Sequence, residues 1–354
     1  MARRKDRPGP LEPRSEAILR AIIEEYVATA QPVGSQTLVL KYGLGVSPAT
    51  VRNVMAELEL AGYLGHPHTS AGRLPTDRGY RLYVESIADA VTLAPVEQLM
   101  IRHQFGQVEF ASDQWFRLAA STLATATHAA GIATAAKPPA CRVRRVDLVA
   151  GSGRLANLVL VLAEGPIKQM LVTLDRTYTQ EELDDLAHAV NRRLVGRSAE
   201  GVEHILGEIR DGTDPAQIVV RQSVERIAAQ MRAFDASTVE AIFSEGLLNV
   251  MEAPEFARSE KLRRVFAVLQ DSGYLGALVP DLARGGGVRV FIGSENPPEE
   301  MHDVSLILAP YGRPGRAVGV VGVLGPTRMA YPHAISTVRY VSGLMNELVD
   351  HLYT

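Results

Sequence analysis

The sequence predicts an α+β chain of several units, and three observations lead there. Residues 14–90 read as three helices, a turn-rich hairpin and a fourth helix. Two blocks of strand-like runs, 142–174 and 288–324, are separated by a stretch that is mostly helical. The chain has 354 residues, 46% hydrophobic and 22% charged, which is enough for two or three domains with real cores and far from a disordered composition.

The opening residues, 1–13, are rich in proline and basic side chains without apolar periodicity, and predict a disordered basic tail. From Ser15 the pattern turns helical: Ile18, Leu19, Ile22, Ile23 and Tyr26 form one broad face, and Gln31-Pro32-Val33-Gly34 ends it. A second helix is expected from Ser35 to Tyr42 with Leu38 inward, followed by turn chemistry at Gly43-Leu44-Gly45-Val46. The third helix is the best marked. Ser47 suits the N-cap, Pro48 the first helical position and Gly62 the C′ position. Its buried stripe is Val51, Val54, Met55 and Leu58, so Ala49, Thr50, Arg52, Asn53, Ala56 and Glu57 face elsewhere. Tyr63-Leu64-Gly65 is extended, and His66 to Pro75 is a hairpin tip rich in turn residues. Thr76 caps a further helix that buries Tyr80, Tyr83, Val84 and Ile87. Over residues 14–90 this order is that of a winged helix-turn-helix.

Residues 89–136 are helix- and alanine-rich, with a linker helix and then a packing helix around Trp115 to Thr127. Strand-like runs follow at Arg142–Ala150, Leu155–Ala163 and Lys168–Leu174, then an amphipathic helix from Thr179 to Leu194. A second set lies at Val288–Ile292, Val304–Pro310 and Ala317–Leu324, closed by a helix from Tyr331 to Leu352. Residues 196–285 are mostly helical, with one strand at Thr238–Phe243. Either strand block alone is a small sheet with open edges. The simplest expectation is one α+β domain built from 91–195 and 286–354 and interrupted by an insertion over 196–285.

Charge and cysteine usage narrow the class. Net charge is −3, but residues 1–85 carry +2 and the remainder −5, a modest asymmetry toward a basic N-terminus. The basic opening is not followed by an apolar stretch of signal-peptide length. The longest apolar runs are about eight residues, against the ~20 that cross a bilayer. A lone cysteine, Cys141, closes no intrachain disulfide and offers no cysteine cluster for a metal. The expectation is a soluble cytoplasmic protein with no membrane partner.

A recognition helix works by placing its N-terminal residues in a major groove ~12 Å wide. Ser47, Ala49 and Thr50 are small enough for close approach, Thr50 and Asn53 can bond bases or phosphates, and Arg52 can bind either in bidentate fashion. The wing adds His68, Thr69, Ser70 and Arg73, and Arg78 and Arg81 follow as neutralisers of backbone charge. A Ser-Pro-x-Thr start is common in helices and an exposed arginine is usually just solvated; the order of elements, not any one residue, points to double-stranded DNA. Gly151-Ser152-Gly153-Arg154-Leu155-Ala156 fits a dinucleotide fingerprint, but a strand, not a helix, follows it, so a hairpin turn is expected. His66-Pro67-His68 is a weak metal motif without a nearby cysteine, and neither Cys141 nor Glu299-Glu300 has a visible catalytic partner. No catalysis, cofactor or metal is expected.

Three runs in the first 85 residues also carry a family resemblance: Val33-Gly34-Ser35-Gln36-Thr37-Leu38; Tyr42-Gly43-Leu44-Gly45-Val46-Ser47-Pro48-Ala49-Thr50-Val51-Arg52-Asn53-Val54-Met55; and Pro67-His68-Thr69-Ser70-Ala71-Gly72-Arg73-Leu74-Pro75-Thr76-Asp77-Arg78-Gly79-Tyr80-Arg81. Together they resemble the signature of the bacterial heat-inducible transcription repressor HrcA family. Near the C-terminus Ile292-Gly293-Ser294-Glu295-Asn296 and Gly325-Pro326-Thr327-Arg328-Met329-Ala330-Tyr331 resemble that family's later motifs. Residues 90–285 match only in outline, and Gly65-His66 and Leu74 depart mildly from the pattern near the wing.

The resemblance implies a homodimeric repressor whose winged helices bind an inverted-repeat operator upstream of chaperone genes. It implies that the α+β domain is GAF-like, that the inserted segment is a dimerisation domain, and that the chaperonin GroEL keeps the repressor active until misfolded protein occupies the chaperonin. An alternative is a one-component regulator released from DNA by a small effector in the GAF-like domain, with Arg144, Arg313 and Arg328 as anion contacts. Within the insertion, the apolar helices Ile218–Met231 and Leu262–Leu269 suit either a partner or a private core.

Overall fold

The computed structural model describes residues 11–352 except 67–71, 89, 109–111, 139, 164–166, 210–213, 238–240, 257–258, 271 and 314–316. The chain is α+β. It opens with α1 (Pro13–Thr29), α2 (Ser35–Tyr42) and α3 (Pro48–Leu60), an antiparallel hairpin of β1 (Leu64–Gly65) and β2 (Leu74–Pro75), and α4 (Asp77–Ile87). Local chemistry sets these boundaries. Pro13 occupies the first turn of α1, Ser47 Oγ accepts from Thr50 N at 3.1 Å to start α3, and Thr76 Oγ1 accepts from Gly79 N at 3.2 Å to start α4. The four helices bury one shared core in which Ile22, Ile23, Leu38 and Val51 are wholly out of solvent. Each such side chain contributes roughly 1.5–3 kcal/mol. Glu25 is buried beneath α2 and accepts from Lys41 Nζ at 2.6 Å, so a charge that would be costly alone joins α1 to α2.

The expected tail lies outside the described residues up to residue 10; from there Leu11 packs on the core and the first helix begins at Pro13, two residues before Ser15.

Next come α5 (Pro95–Gly106), α6 (Ser112–Thr127) and β3 (Ala130–Thr134), then β4 (Val143–Ala150), β5 (Leu155–Leu162), β6 (Ile167–Thr173), α7 (Gln180–Leu194), α8 (Ala199–Glu208) and α9 (Pro215–Ala236). The chain closes with β7 (Ile242–Glu245), α10 (Leu247–Met251), α11 (Ser259–Gln270), α12 (Ser272–Gly285), β8 (Arg289–Ile292), β9 (Val304–Arg313), β10 (Ala317–Pro326) and α13 (Tyr331–Leu352). Five strands form an antiparallel sheet in the order β7-β3-β10-β9-β8. Alternation along its strands feeds two cores. Ile307, Ala309, Val321 and Val323 pack with Leu123 of α6 and Val338 and Val341 of α13, while Leu306, Leu308, Val320 and Leu324 pack with Val250, Val265, Leu275 and Leu282 of α10 to α12.

The remaining three strands are a separate antiparallel sheet, β4-β5-β6. One face, with Val146, Leu148, Leu158, Leu160 and Val172, is covered by Leu183 and Val190 of α7, Val202 of α8, and Ile227 and Met231 of α9. This unit leaves the five-stranded sheet after β3 and returns to it at β7, which pairs with β3. The expected division, 91–195 with 286–354 around an insertion at 196–285, is therefore corrected. The first strand block belongs to the insertion, and residues 242–285 belong to the body. Which sheet a helix covers is a long-range matter that local periodicity does not carry. The helix at Ile218–Met231 lies within α9 and that at Leu262–Leu269 within α11; each fills its own unit's core. The strand expected at Thr238–Phe243 is Ile242–Glu245, with 238–240 outside the described residues.

Among the described residues no helix is long and apolar enough to cross a membrane.

Candidate nucleic-acid interface

The buried stripe of α3, Val51, Val54, Met55 and Leu58, fixes which residues the helix shows to solvent. Ala49, Arg52, Asn53 and Ala56 are exposed at the helical intervals of three and four that make one continuous face. Arg52 has no ion pair among the described residues. Ser47 is exposed and Thr50 half-buried, and their hydroxyls are 3.0 Å apart. Ser47 thus acts first as the cap of α3. Pro48 carries no N–H, and Thr50 N and Val51 N both donate to Ser47, so the first turn leaves the Ala49 N–H, at the positive end of the helix dipole, on the side where Ala49 stands exposed.

The hairpin is pinned next to this face. Val33 N donates to Arg73 O at 2.9 Å and Arg73 N to Val33 O at 3.0 Å. The Arg73 guanidinium is 2.6 Å from Glu59 Oε2, and the other oxygen of Glu59 meets His66 Nδ1. Arg73, expected as a free cation of the wing, is therefore a half-buried brace between the hairpin base and the last turn of α3. Glu59 is absent from the sequence-based expectation; its signal is a carboxylate in the last turn of a helix that a basic hairpin follows. Arg78 is exposed, its guanidinium 4.8 Å above the ring of Tyr63, a stacking that supports the hairpin and leaves the charge at the surface. His68, Thr69 and Ser70 lie outside the described residues.

Arg81 departs from expectation. Its guanidinium binds Glu295 of the body and the carbonyl of Val290, so its charge is already paired with a carboxylate. The arginines expected around an effector do not converge. Arg313 pairs with Asp350 at 2.8 Å and Arg328 with Glu255, both in the body, whereas Arg144 lines a recess of about 440 Å³ on the inserted unit with Asp147, Asp184 and His188. A second recess, about 580 Å³, lies between α5, α6 and α13 and is lined by Leu93, Met100, Ile101, Leu118, Gln104 and His333.

Gly151-Ser152-Gly153 turns the β4–β5 hairpin, with Gly151 N donating to Leu155 O at 3.0 Å, as expected of a turn and unlike a phosphate loop. Among the described residues no three His, Cys, Asp or Glu side chains are grouped to hold a metal.

A family model described as "HrcA protein C terminal domain" matches residues 113–335. A "Heat-inducible transcription repressor HrcA" of Roseiflexus sp. (strain RS-1) is 43% identical over 344 residues, covering 97% of this chain and 96% of its own length. Proteins of the same name from Chloroflexus aggregans (43% identical, 98% and 94% covered) and Dehalococcoides mccartyi strain ATCC BAA-2266 (35%, 97% and 97%) match over the same extent. A crystal structure described as a hypothetical protein at 2.2 Å shares the fold with a TM-score of 0.65 at 22% identity, covering 97% of this chain and 99% of that one.

Proposed function

Since the chain belongs to the family of heat-inducible transcription repressors HrcA and is thereby a negative regulator of heat-shock transcription, we propose that α3 is the helix by which it grips its operator. In this proposal the N-terminal unit is a winged helix-turn-helix. Ala49, Thr50, Arg52 and Asn53 meet base edges or phosphates, the first turn of α3 receives a phosphate, and His68, Thr69 and Ser70 add contacts beside them. Arg78 adds backbone charge neutralisation. The body is GAF-like, and the site of action is the cytoplasm. The observation that carries the proposal is the exposed Ala49, Arg52, Asn53, Ala56 face, backed along its whole length by a fully buried stripe. A helix so held presents polar groups at a fixed height with no core of its own left to protect.

One helix reads only a few base pairs, and two-fold pairing supplies a longer inverted repeat. The inserted unit supports such a pair. Among the described residues its three-stranded sheet is covered on one face only, and the open face carries Val149, Leu155, Val159, Val161, Ile167 and Leu171, of which Ile167 is 61% exposed and Leu171 56%. An apolar surface of this kind on a sheet is what an isologous dimer covers. The partners in this proposal are a second copy, an inverted-repeat operator upstream of chaperone genes, and the chaperonin GroEL, which maintains activity. The arginines that a small effector would need stand apart, which favours the chaperonin over the effector as the regulator.

The test is binding of the full chain to an inverted repeat from a chaperonin promoter, with and without chaperonin. Tight binding that chaperonin sustains and a shuffled repeat abolishes supports the proposal; equal binding to both duplexes overturns it.

A further inference from the structure

α4 joins the N-terminal unit to the body through polar contacts that no groove-binding role uses. In its first turn, Asp77 Oδ2 accepts from Ser294 N at 2.9 Å and from Ser294 Oγ at 2.7 Å. One turn later Arg81 Nε donates to Glu295 Oε1 at 2.7 Å, while Nη2 donates to Glu295 Oε2 and, at 2.6 Å, to Val290 O. Glu295 is itself held by accepting from Ile292 N at 2.9 Å. The approach is close: Gly293 sits at φ +49°, and a Cβ there would lie 2.4 Å from either oxygen of Asp77.

Beneath these contacts the ring of Tyr80 packs 5.6 Å from that of Tyr331, whose hydroxyl bonds Ser305 Oγ and Thr327 O, both at 2.7 Å. Past the end of α4, Arg339 Nη1 donates to Val91 O at 2.7 Å. A single apolar core runs from Ile18 of α1 through Tyr80 to Val338 of α13. The two units are thus joined by charge-assisted, directional bonds over a shared core, and not by a free linker. Three distinctive stretches of the sequence meet here, Asp77 to Arg81, Ile292 to Asn296 and Thr327 to Tyr331, and DNA contact accounts for none of these bonds.

We infer that the Asp77–Ser294 and Arg81–Glu295 contacts are a clamp that sets the angle of α3 relative to the body, so that the distance between operator half-sites is read by this interface while their bases are read by α3. The inference rests on the paired reading given under Proposed function. Two rigidly held recognition helices fit one separation and one helical phase, and inserting about 5 base pairs turns the second half-site to the far side of the duplex. A loosely tethered second helix instead binds as a local, linker-limited event that tolerates such a change. Asp77, Arg81, Ser294 and Glu295 are positioning residues and touch no base.

The experiment measures fluorescence-anisotropy affinities of the full chain for three duplexes: a single half-site, the inverted repeat of a chaperonin promoter, and that repeat lengthened by about 5 base pairs. The native chain is expected to bind the lengthened repeat at least about tenfold more weakly than the native one, a penalty of about 1.4 kcal/mol. Glu295→Ala and Arg81→Ala are each expected to narrow that ratio to within about threefold, and the double variant to fall well short of the sum of the two, because the Arg81–Glu295 contact is lost in both. Glu295→Gln, which keeps an acceptor for Arg81, restores the discrimination. Affinity for the single half-site stays unchanged, as does the sedimentation of the dimer. Should an alanine variant fail to fold, Ser294→Ala removes one donor to Asp77 without changing any charge and is expected to narrow the ratio in the same direction.

An unchanged ratio in the folded variants overturns the clamp. So does a loss of single half-site affinity in step with the repeat, and so does tighter binding of the native repeat by the alanine variants, which would mark the contact as one that silences the helix. If the native chain itself binds one half-site as well as a full repeat, the paired reading fails and the clamp fails with it, a result distinct from the others because no variant is needed to see it.

Discussion

Glu59 and Arg73 stand 2.6 Å apart across the base of the hairpin, one on the last turn of α3 and the other at the start of the returning strand. The carboxylate shares itself with His66, so a single residue at the far end of α3 holds both sides of the hairpin. Both partners are partly exposed, and such a pair is worth at most about 1 kcal/mol of stability. Its larger effect is on charge and position. Glu59→Ala is expected to leave the melting temperature nearly unchanged, to release Arg73 toward phosphate, and to steepen the salt dependence of DNA binding by about one counterion while lowering the ratio of specific to non-specific affinity. A salt slope identical to that of the native chain contradicts the brace.

Arg52 is exposed and stands on a helix whose packing face does not include it. Arg52→Ala is expected to weaken operator binding by about 1–3 kcal/mol, with the loss concentrated on one base position of each half-site. Circular dichroism and the melting temperature should not move. Operator affinity equal to that of the native chain removes the residue from the interface.

The open face of the β4-β5-β6 sheet is the proposed seam of the dimer. Ile167→Glu together with Leu171→Glu places two carboxylates on residues 61% and 56% exposed in the single chain, so the fold of each protomer is kept while pairing is penalised. Analytical ultracentrifugation is expected to show monomers, and affinity for the full repeat to fall to that for one half-site. A variant that sediments as a dimer places the seam elsewhere.

Cys141 is buried against Met231 and Asp235 at the base of the inserted unit, and its backbone N–H donates to Asp235 Oδ1 at 2.8 Å. Burial, reinforced by the neighbouring carboxylate, pushes the thiol up to about 12. Because thiolate is the reactive form, the folded chain is expected to resist iodoacetamide at pH 8 and to react fully in denaturant. The raised value also has a sign for stability: the protonated thiol costs the fold nothing below the unfolded range near 8.5, and stability falls as pH climbs beyond it. Fast labelling of the native chain at pH 8 contradicts the burial.

Elements whose boundaries rest on neighbouring residues were legible in the sequence. Ser47, Pro48 and Gly62 bracket α3, Thr76 caps α4, Thr179 caps α7 with a reciprocal bond from Glu182, and the paired strands β9 and β10 extend only a few residues beyond their apolar runs. Elements whose identity depends on distant partners were not. Ala130 to Thr134 reads as a continuation of an alanine-rich helical stretch, yet it is β3, second strand of the five-stranded sheet. Its small residues answer to α6, whose backbone crosses so near that a Cβ on Gly131 would lie 1.9 Å from Ala120 O. The same reason misplaced the insertion: the strands at 143–173 and the helices at 259–285 look alike in either unit, and only tertiary packing assigns them.

At the candidate interface, the exposed face of α3 was legible because it is the complement of a buried stripe. The contacts of Arg73 and Arg81 were not, since each pairs with a carboxylate, Glu59 or Glu295, that the chain brings in by folding.

In the proposed function α3, exposed through Arg52 and Asn53, reads an inverted repeat that controls chaperone genes. The most direct test is the affinity of the full native chain, at physiological salt, for the inverted repeat of a chaperonin promoter against the same duplex with both half-sites shuffled. The predicted result is a preference of at least about a thousandfold for the intact repeat, as specific operator binding requires. Equal affinity for the two duplexes contradicts it.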